Sequence, residues 1–149
     1  TQAVLLSECI QDVVADCRGA LSEKQISLET EIPDSLTALS DKGLLHIVLR
    51  NVLSNAVKFS DAGDRIVIRV TESDGKCFID VCDNGPGVPD EVASRLFGTM
   101  ASDAPSRGGG FGLFISAELL KKMNGSIRLA ASSADGSVFR IVLPIANLV

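Results

Sequence analysis

A chain of 149 residues suits one compact domain over 1–149 and can bury a core without disulfide or metal staples. Apolar residues at 46% and charged residues at 22% exclude a wholly disordered chain. The net charge of −5 argues against nucleic-acid binding, which needs a basic stripe, so an anionic ligand would have to be held by backbone N–H groups, a few cations or a metal.

In chain order, residues 3–20 predict an amphipathic helix. Leu6, Ile10, Val13, Val14, Cys17 and then Leu21 recur at helical spacing, with Glu8, Gln11, Asp12, Asp16 and Arg18 between them. Ile26, Leu28 and Ile32 fit a strand running into Pro33. Asp41 is placed to cap a second helix over 42–59, whose apolar set is Leu44, Leu45, Val48, Leu49, Val52, Leu53, Ala56 and Val57. Residues 61–64 read as a turn, and Ile66, Ile68 and Val70 as a half-buried strand. Ser73-Asp74-Gly75-Lys76 reads as a hairpin connection into a strand from Phe78 to Cys82 that ends at Asp83. A short helix fits 89–97, and the small, glycine-rich residues 98–109 fit a mobile loop. A helix over 110–123 follows, stopped by Asn124-Gly125. Strands at 127–131 and 138–143 are joined by the Asp135-Gly136 turn, the second stopped by Pro144. Helices and hairpin strands mix without strict βαβ alternation, which predicts a two-layer sandwich with one sheet covered by helices.

Four cysteines (Cys9, Cys17, Cys77, Cys82) lack CxxC spacing and have apolar neighbours, so they read as buried free thiols in a reducing compartment, not as zinc ligands. No apolar run reaches the length of a bilayer span, and no leader pattern is present. The expected setting is cytoplasmic, and the absence of a starting Met suits a piece of a larger protein.

Three segments carry candidate chemistry. Asn51, Asn55 and Lys58 share one helix face, where amide oxygens suit a hard cation such as Mg²⁺ and the lysine suits phosphates. Asparagines are poor helix formers, which weakens the alternative of a merely polar outer face. Asp83-Asn84-Gly85-Pro86-Gly87 ends a strand; the carboxylate can accept from a purine amino group, and Gly85 and Gly87 allow close approach of the backbone to a base. The same residues are also strong turn chemistry. Gly108-Gly109-Gly110-Phe111-Gly112-Leu113 opens a helix and suits a phosphate cradle, or simply a flexible loop and helix start. It lacks the Gly-Lys-Ser/Thr ending of a P-loop.

In this order the three segments resemble the boxes of the catalytic, ATP-binding domain of sensor histidine kinases, within the superfamily of gyrase, heat-shock chaperone, mismatch-repair and histidine-kinase ATPases. Phe97 resembles that family's phenylalanine box, and Gly136-Ser137-Val138-Phe139 with Leu143-Pro144 resembles its last hairpin. The resemblance implies an α/β (α+β) two-layer sandwich, the Bergerat fold, with a mixed, mostly antiparallel sheet. It implies ATP and Mg²⁺ as ligands. Asn51, Asn55 and Lys58 would be the catalytic set: Asn55 ligating Mg²⁺, Asn51 helping to place it, and Lys58 contacting phosphate. Phe59 would line the pocket and Asp83 would recognise adenine, bordered by Gly85 and Gly87. Gly108, Gly110, Gly112 and Leu113 would shape the phosphate side, and residues 98–109 would form a lid whose only cation is Arg107.

Hydrolytic relatives carry a glutamate base where this chain has Asn51. An amide cannot deprotonate water, so transfer to a nucleophilic imidazole is expected instead of hydrolysis. His46 lies inside the second helix without the acceptor-box context, so the acceptor is expected on a separate dimerisation domain preceding Thr1 in the full protein. The implied partners are that domain and a downstream response regulator, with no nucleic acid and no membrane contact by this domain. The parent is expected to be a larger sensor that can be membrane-anchored. The lid is short, 11 residues from Phe97 to Gly108, and Met100 stands where a second phenylalanine is expected. That keeps an alternative open: a degenerate regulatory domain with weak or no ATP binding that docks to another sensor kinase.

Overall fold

Period-two alternation decides which way the strands face. The computed structural model describes residues 2–89, 93 and 110–146. Within them lie strands β1 (Gln2–Leu5), β2 (Ser27–Glu31), β3 (Thr37–Ser40), β4 (Arg65–Ser73), β5 (Lys76–Asp83), β6 (Ser126–Ser133) and β7 (Gly136–Pro144), and helices α1 (Leu6–Glu23), α2 (Lys42–Phe59) and α3 (Gly110–Lys122). The main sheet runs β2-β4-β5-β7-β6, with β2 parallel to β4 and the other neighbours antiparallel. This is the expected mixed, mostly antiparallel two-layer sandwich.

On one face Ile66, Ile68 and Val70 of β4, Cys77, Ile79 and Val81 of β5, and Phe139, Ile141 and Leu143 of β7 are buried and join the helices in one core. The helices supply matching stripes, among them Ile10, Val13 and Leu21 of α1, Leu45, Val52 and Leu53 of α2, and Leu113 and Leu120 of α3. Each such side chain contributes roughly 1.5–3 kcal/mol by leaving water. Two polar residues interrupt the inward rows, Asp83 of β5 and Ser137 of β7, and the register sets them directly opposite each other at one end of the sheet.

The other face carries a charged row across all five strands: Glu31, Arg69, Asp80, Arg140 and Arg128 are successive cross-strand neighbours. Arg69 bonds Glu31 at 2.7 Å, and Arg140 forks onto Asp80 at 2.8 and 2.9 Å while stacking 5.2 Å from the Phe78 ring centroid. Exposed pairs of the Arg69–Glu31 kind add little; the Asp80–Arg140 pair is better shielded and bidentate.

Local signals appear where expected. Asp41 caps α2, its Oδ1 accepting from the Leu44 N–H at 2.9 Å. Asp74 and Gly75 both take positive φ, the twist that a two-residue hairpin requires. Asn124, at φ 59°, ends α3. The helix expected over 3–20 starts later and runs further, from Leu6 to Glu23, because Gln2–Leu5 pairs antiparallel with β3. Neither strand of that small sheet was legible, since each is short and its partner is distant in sequence. Cys9, Cys17 and Cys77 are buried, and burial pushes the Cys9 and Cys77 thiols up to about 11. Cys82 is only half-buried, because its strand position faces away from the helices.

Lys24, just after α1, reaches the end of α2: its Nζ donates to the carbonyls of Val57 at 2.8 Å and Lys58 at 3.3 Å. Helix C-terminal carbonyls lack intrahelical partners and carry partial negative charge, so a cation there stabilises the last turn. Lys24→Met should lower the unfolding free energy by about 0.5–1.5 kcal/mol. The readout is a lower urea midpoint at unchanged m; an unmoved midpoint would show that the contact contributes nothing.

Candidate functional site

The α2 asparagines are fastened by their nitrogens. Asn55 is 6% exposed, and its Nδ2 donates to the Asn51 carbonyl at 2.9 Å. Its Oδ1 is buried with no hydrogen-bond partner among the described residues. An unpaired buried carbonyl costs roughly 1–3 kcal/mol, and asparagine adds a helix-propensity cost. A ligand that this oxygen could bind offsets both. The donor type fits Mg²⁺, which takes few protein oxygens and fills its remaining positions with water and phosphate oxygens. Lys58, one turn on, is exposed with its Nζ 5.6 Å from the Phe59 ring centroid, and Phe59 packs half-buried against the core.

The first glycine segment closes against the end of α2. A Cβ on Gly85 would sit 2.8 Å from the Phe59 carbonyl oxygen and 3.0 Å from the Ser60 Cα, so only glycine lets the two backbones meet. Gly87 has φ +86°, and a Cβ there would collide with the Ser133 carbonyl. The immediate neighbours of these glycines are therefore protein backbone, which makes the loop a fitted wall between α2 and the β6–β7 turn. Asp83 is 7% exposed. Its Oδ1 accepts from the Gly85 N–H at 3.0 Å and its Oδ2 from the Ser137 hydroxyl at 2.6 Å. A carboxylate has about four acceptor sites, so this fixed group keeps capacity for an incoming donor.

On the far side, Asn51 Nδ2 donates to the Oγ of Ser116 on α3 at 3.2 Å. Gly110 opens α3, Gly112 lies in its first turn, and Leu113 is fully buried, so Leu113 seats the helix in the core. The structure thus brings Gly85, beside Asp83, against the end of α2 at Phe59 and Ser60, sets Gly87 against Ser133, and bonds Asn51 to Ser116 of α3. Phe97, Met100, Arg107, Gly108 and the loop 98–109 lie outside the described residues, as does the helix expected over 89–97 apart from Pro89 and Ala93. His46 is not at this site: its Nε2 pairs with Asp16 Oδ2 at 2.8 Å, tying α2 to α1.

Ser116 and Ser137 were missed as site residues. Each interrupts an otherwise apolar inward row: Ser137 before Phe139, Ile141 and Leu143, and Ser116 between Leu113 and Leu120. A hydroxyl in a buried row needs a partner, and that was the available signal.

Residues 40–147 match the model of a family described as histidine kinase-, DNA gyrase B-, and HSP90-like ATPase. The adaptive-response sensory kinase SasA of Rippkaea orientalis is 29% identical over 140 residues, covering 91% of this chain and 36% of that protein. The sensor-like histidine kinase SenX3 of Mycolicibacterium smegmatis is 31% identical over 147 residues, covering 95% of this chain and 38% of that protein. The chain therefore spans little more than a third of these relatives. Among solved structures, the mycobacterial sensor histidine kinase MprB superposes with a TM-score of 0.82 at 27% identity, covering 99% of this chain and 100% of the other. Full-length ShkA, solved in complex with AMPPNP, gives 0.80 at 26%, covering 98% of this chain and 31% of the other. The chain belongs to the family of histidine kinase-, DNA gyrase B- and HSP90-like ATPases.

Proposed function

We propose that this chain is the ATP-binding catalytic domain of a two-component sensor histidine kinase, a single domain over 1–149. It binds Mg-ATP and supports transfer of the γ-phosphoryl group to a histidine on a separate dimerisation domain. The observation that carries the reading is the buried Asn55 Oδ1, without a hydrogen-bond partner among the described residues, on the helix whose end packs against the Asp83 loop. Asp83 is the acceptor for the adenine amino group, and Ser137 and the Gly85 N–H fix its carboxylate. Phe59 supplies an apolar wall beside the base, and Lys58 offers positive charge to the phosphates. Gly110 and Gly112, in the first turn of α3, leave backbone N–H groups for the phosphate side; Gly108 and Arg107 are assigned to that side from the sequence alone.

Asn55 would hold Mg²⁺ through its amide oxygen, with Asn51 beside it. The ion, when bound, neutralises charge on the phosphate oxygens. The acceptor imidazole nitrogen attacks phosphorus, the bond from phosphorus to the β–γ bridging oxygen breaks, and ADP leaves with the electron pair. The acceptor is its own nucleophile, so the amide of Asn51 is sufficient and water is left without a general base. The acceptor domain and a response regulator are the partners this reading requires.

Calorimetry of the chain with ATP and Mg²⁺ tests the binding step, where a micromolar to submillimolar Kd is expected. Labelled ATP with a matched acceptor domain then tests transfer. Absence of heat at millimolar ATP would overturn the reading and favour a regulatory domain that docks to another kinase.

A further inference from the structure

We infer that Ser132 is a positioning residue for base recognition, fixing the far end of the Asp83–Val88 loop, and that a bulge in β6 turns it there. The inference rests on the nucleotide reading above and deepens its adenine side.

The pairing of β6 with β7 is regular from Ser126 to Leu129, where Leu129 lies opposite Phe139 on the face that bears the core. The register then shifts between Leu129 and Ala131. One extra residue in a strand exchanges the faces of all that follow it. Without the shift, Ser132 would lie opposite Gly136, on the open face that carries Arg128 and Arg140. With it, Ser132 lies opposite Ser137, and Ser137 lies opposite Asp83. A single cross-strand row at the end of the sheet therefore runs Ser132, Ser137, Asp83.

Two hydroxyls of this row hold the two ends of the loop. Ser137 donates to Asp83 Oδ2 at 2.6 Å, where the loop begins. Ser132 Oγ accepts from the Val88 N–H at 2.8 Å and donates to the Val88 carbonyl at 3.3 Å, where the loop ends. One side chain thus gives Val88 both bonds that a neighbouring strand would supply. Val88 is 5% exposed, so its backbone groups need such partners. Between the two ends, Gly87 is pressed against the Ser133 carbonyl and Gly85 against the Phe59 carbonyl. The Gly85 N–H in turn holds Asp83 Oδ1 at 3.0 Å. The far end of the loop therefore sets where Gly85 sits, and Gly85 sets the aim of the carboxylate.

The test measures the affinities for ATP and for inosine triphosphate, each with Mg²⁺, by calorimetry on the wild-type chain, Ser132→Ala and Ser132→Thr, together with each Tm. Inosine triphosphate carries a carbonyl where adenine carries the amino group, so the preference for ATP reads the aim of Asp83 apart from the phosphate contacts. Ser132→Ala should weaken ATP binding roughly three- to tenfold and inosine triphosphate binding less, narrowing the preference. Ser132→Thr keeps the hydroxyl on a residue type that suits a strand, and should keep the preference. An alanine variant with the wild-type preference, whether its affinities hold or fall together with Tm, would overturn the inference. So would a threonine variant whose preference narrows as much as that of alanine. Wild-type chain that binds no ATP would overturn the nucleotide reading itself, and wild-type chain without a preference would overturn the adenine role of Asp83. In both cases the inference falls before any variant is compared.

Discussion

Asp83→Asn is expected to weaken Mg-ATP binding by roughly 10- to 150-fold, equivalent to the loss of a hydrogen bond to a charged group worth about 1.5–3 kcal/mol. The fold should survive, because the substituted amide can satisfy both local donors. Its oxygen can accept from the Gly85 N–H, which cannot turn, and its NH₂ can donate to the Ser137 hydroxyl, which can. That arrangement uses the oxygen locally and presents N–H groups where the carboxylate had lone pairs. An adenine amino group then meets a donor. Calorimetry gives the affinity and a thermal melt checks the fold. An unchanged Kd would remove Asp83 from base recognition, and a collapsed melt would assign its carboxylate chiefly to holding the β5–β7 end together.

Asn55→Ala is expected to separate stability from binding in the opposite sense. The substitution removes a buried carbonyl oxygen that has no partner among the described residues, recovering roughly 1–3 kcal/mol, and improves helix propensity by a few tenths more. Against this stand the lost bond to the Asn51 carbonyl, about 0.5–1.5 kcal/mol, and a small cavity. The free domain should therefore be about as stable as wild type, or up to about 1 kcal/mol more so, a Tm rise of roughly 2–4 °C. Mg-ATP affinity should nevertheless fall at least about tenfold, since the hard oxygen ligand is gone. A variant clearly less stable than wild type, with binding unaltered, would make Asn55 an ordinary structural residue. The expected pattern is that of a group kept for its ligand at some cost to the free fold.

The elements with a strong period or a strong stop were legible without coordinates. The Asp41 cap, the stripe of α2, the hairpin at Asp74-Gly75 and the end of α3 at Asn124 are local events, decided within a few residues by backbone geometry and hydrogen bonding. The candidate residues stood out in the sequence for the same reason. Asparagines on a helix face and glycines after a strand are choices that local structure alone disfavours or does not require, so they stand out against periodicity. β1 and β3 were not legible, because short strands take their stability from a partner and each partner here is distant in sequence.

The sequence by itself determined the order of elements, the direction of the apolar faces and the residue types available for nucleotide chemistry. Only the tertiary structure decided their partners. Ser137 became the ligand of the Asp83 carboxylate through the β5–β7 register, which a shift of one residue would have turned to the opposite face. Ser116 met Asn51 through the packing of α3 on α2. Gly85 needed to be glycine because the Phe59 carbonyl closes on it across the end of α2. Each of these contacts joins segments with no local interaction, and its existence depends on the whole sheet and helix layer being in place.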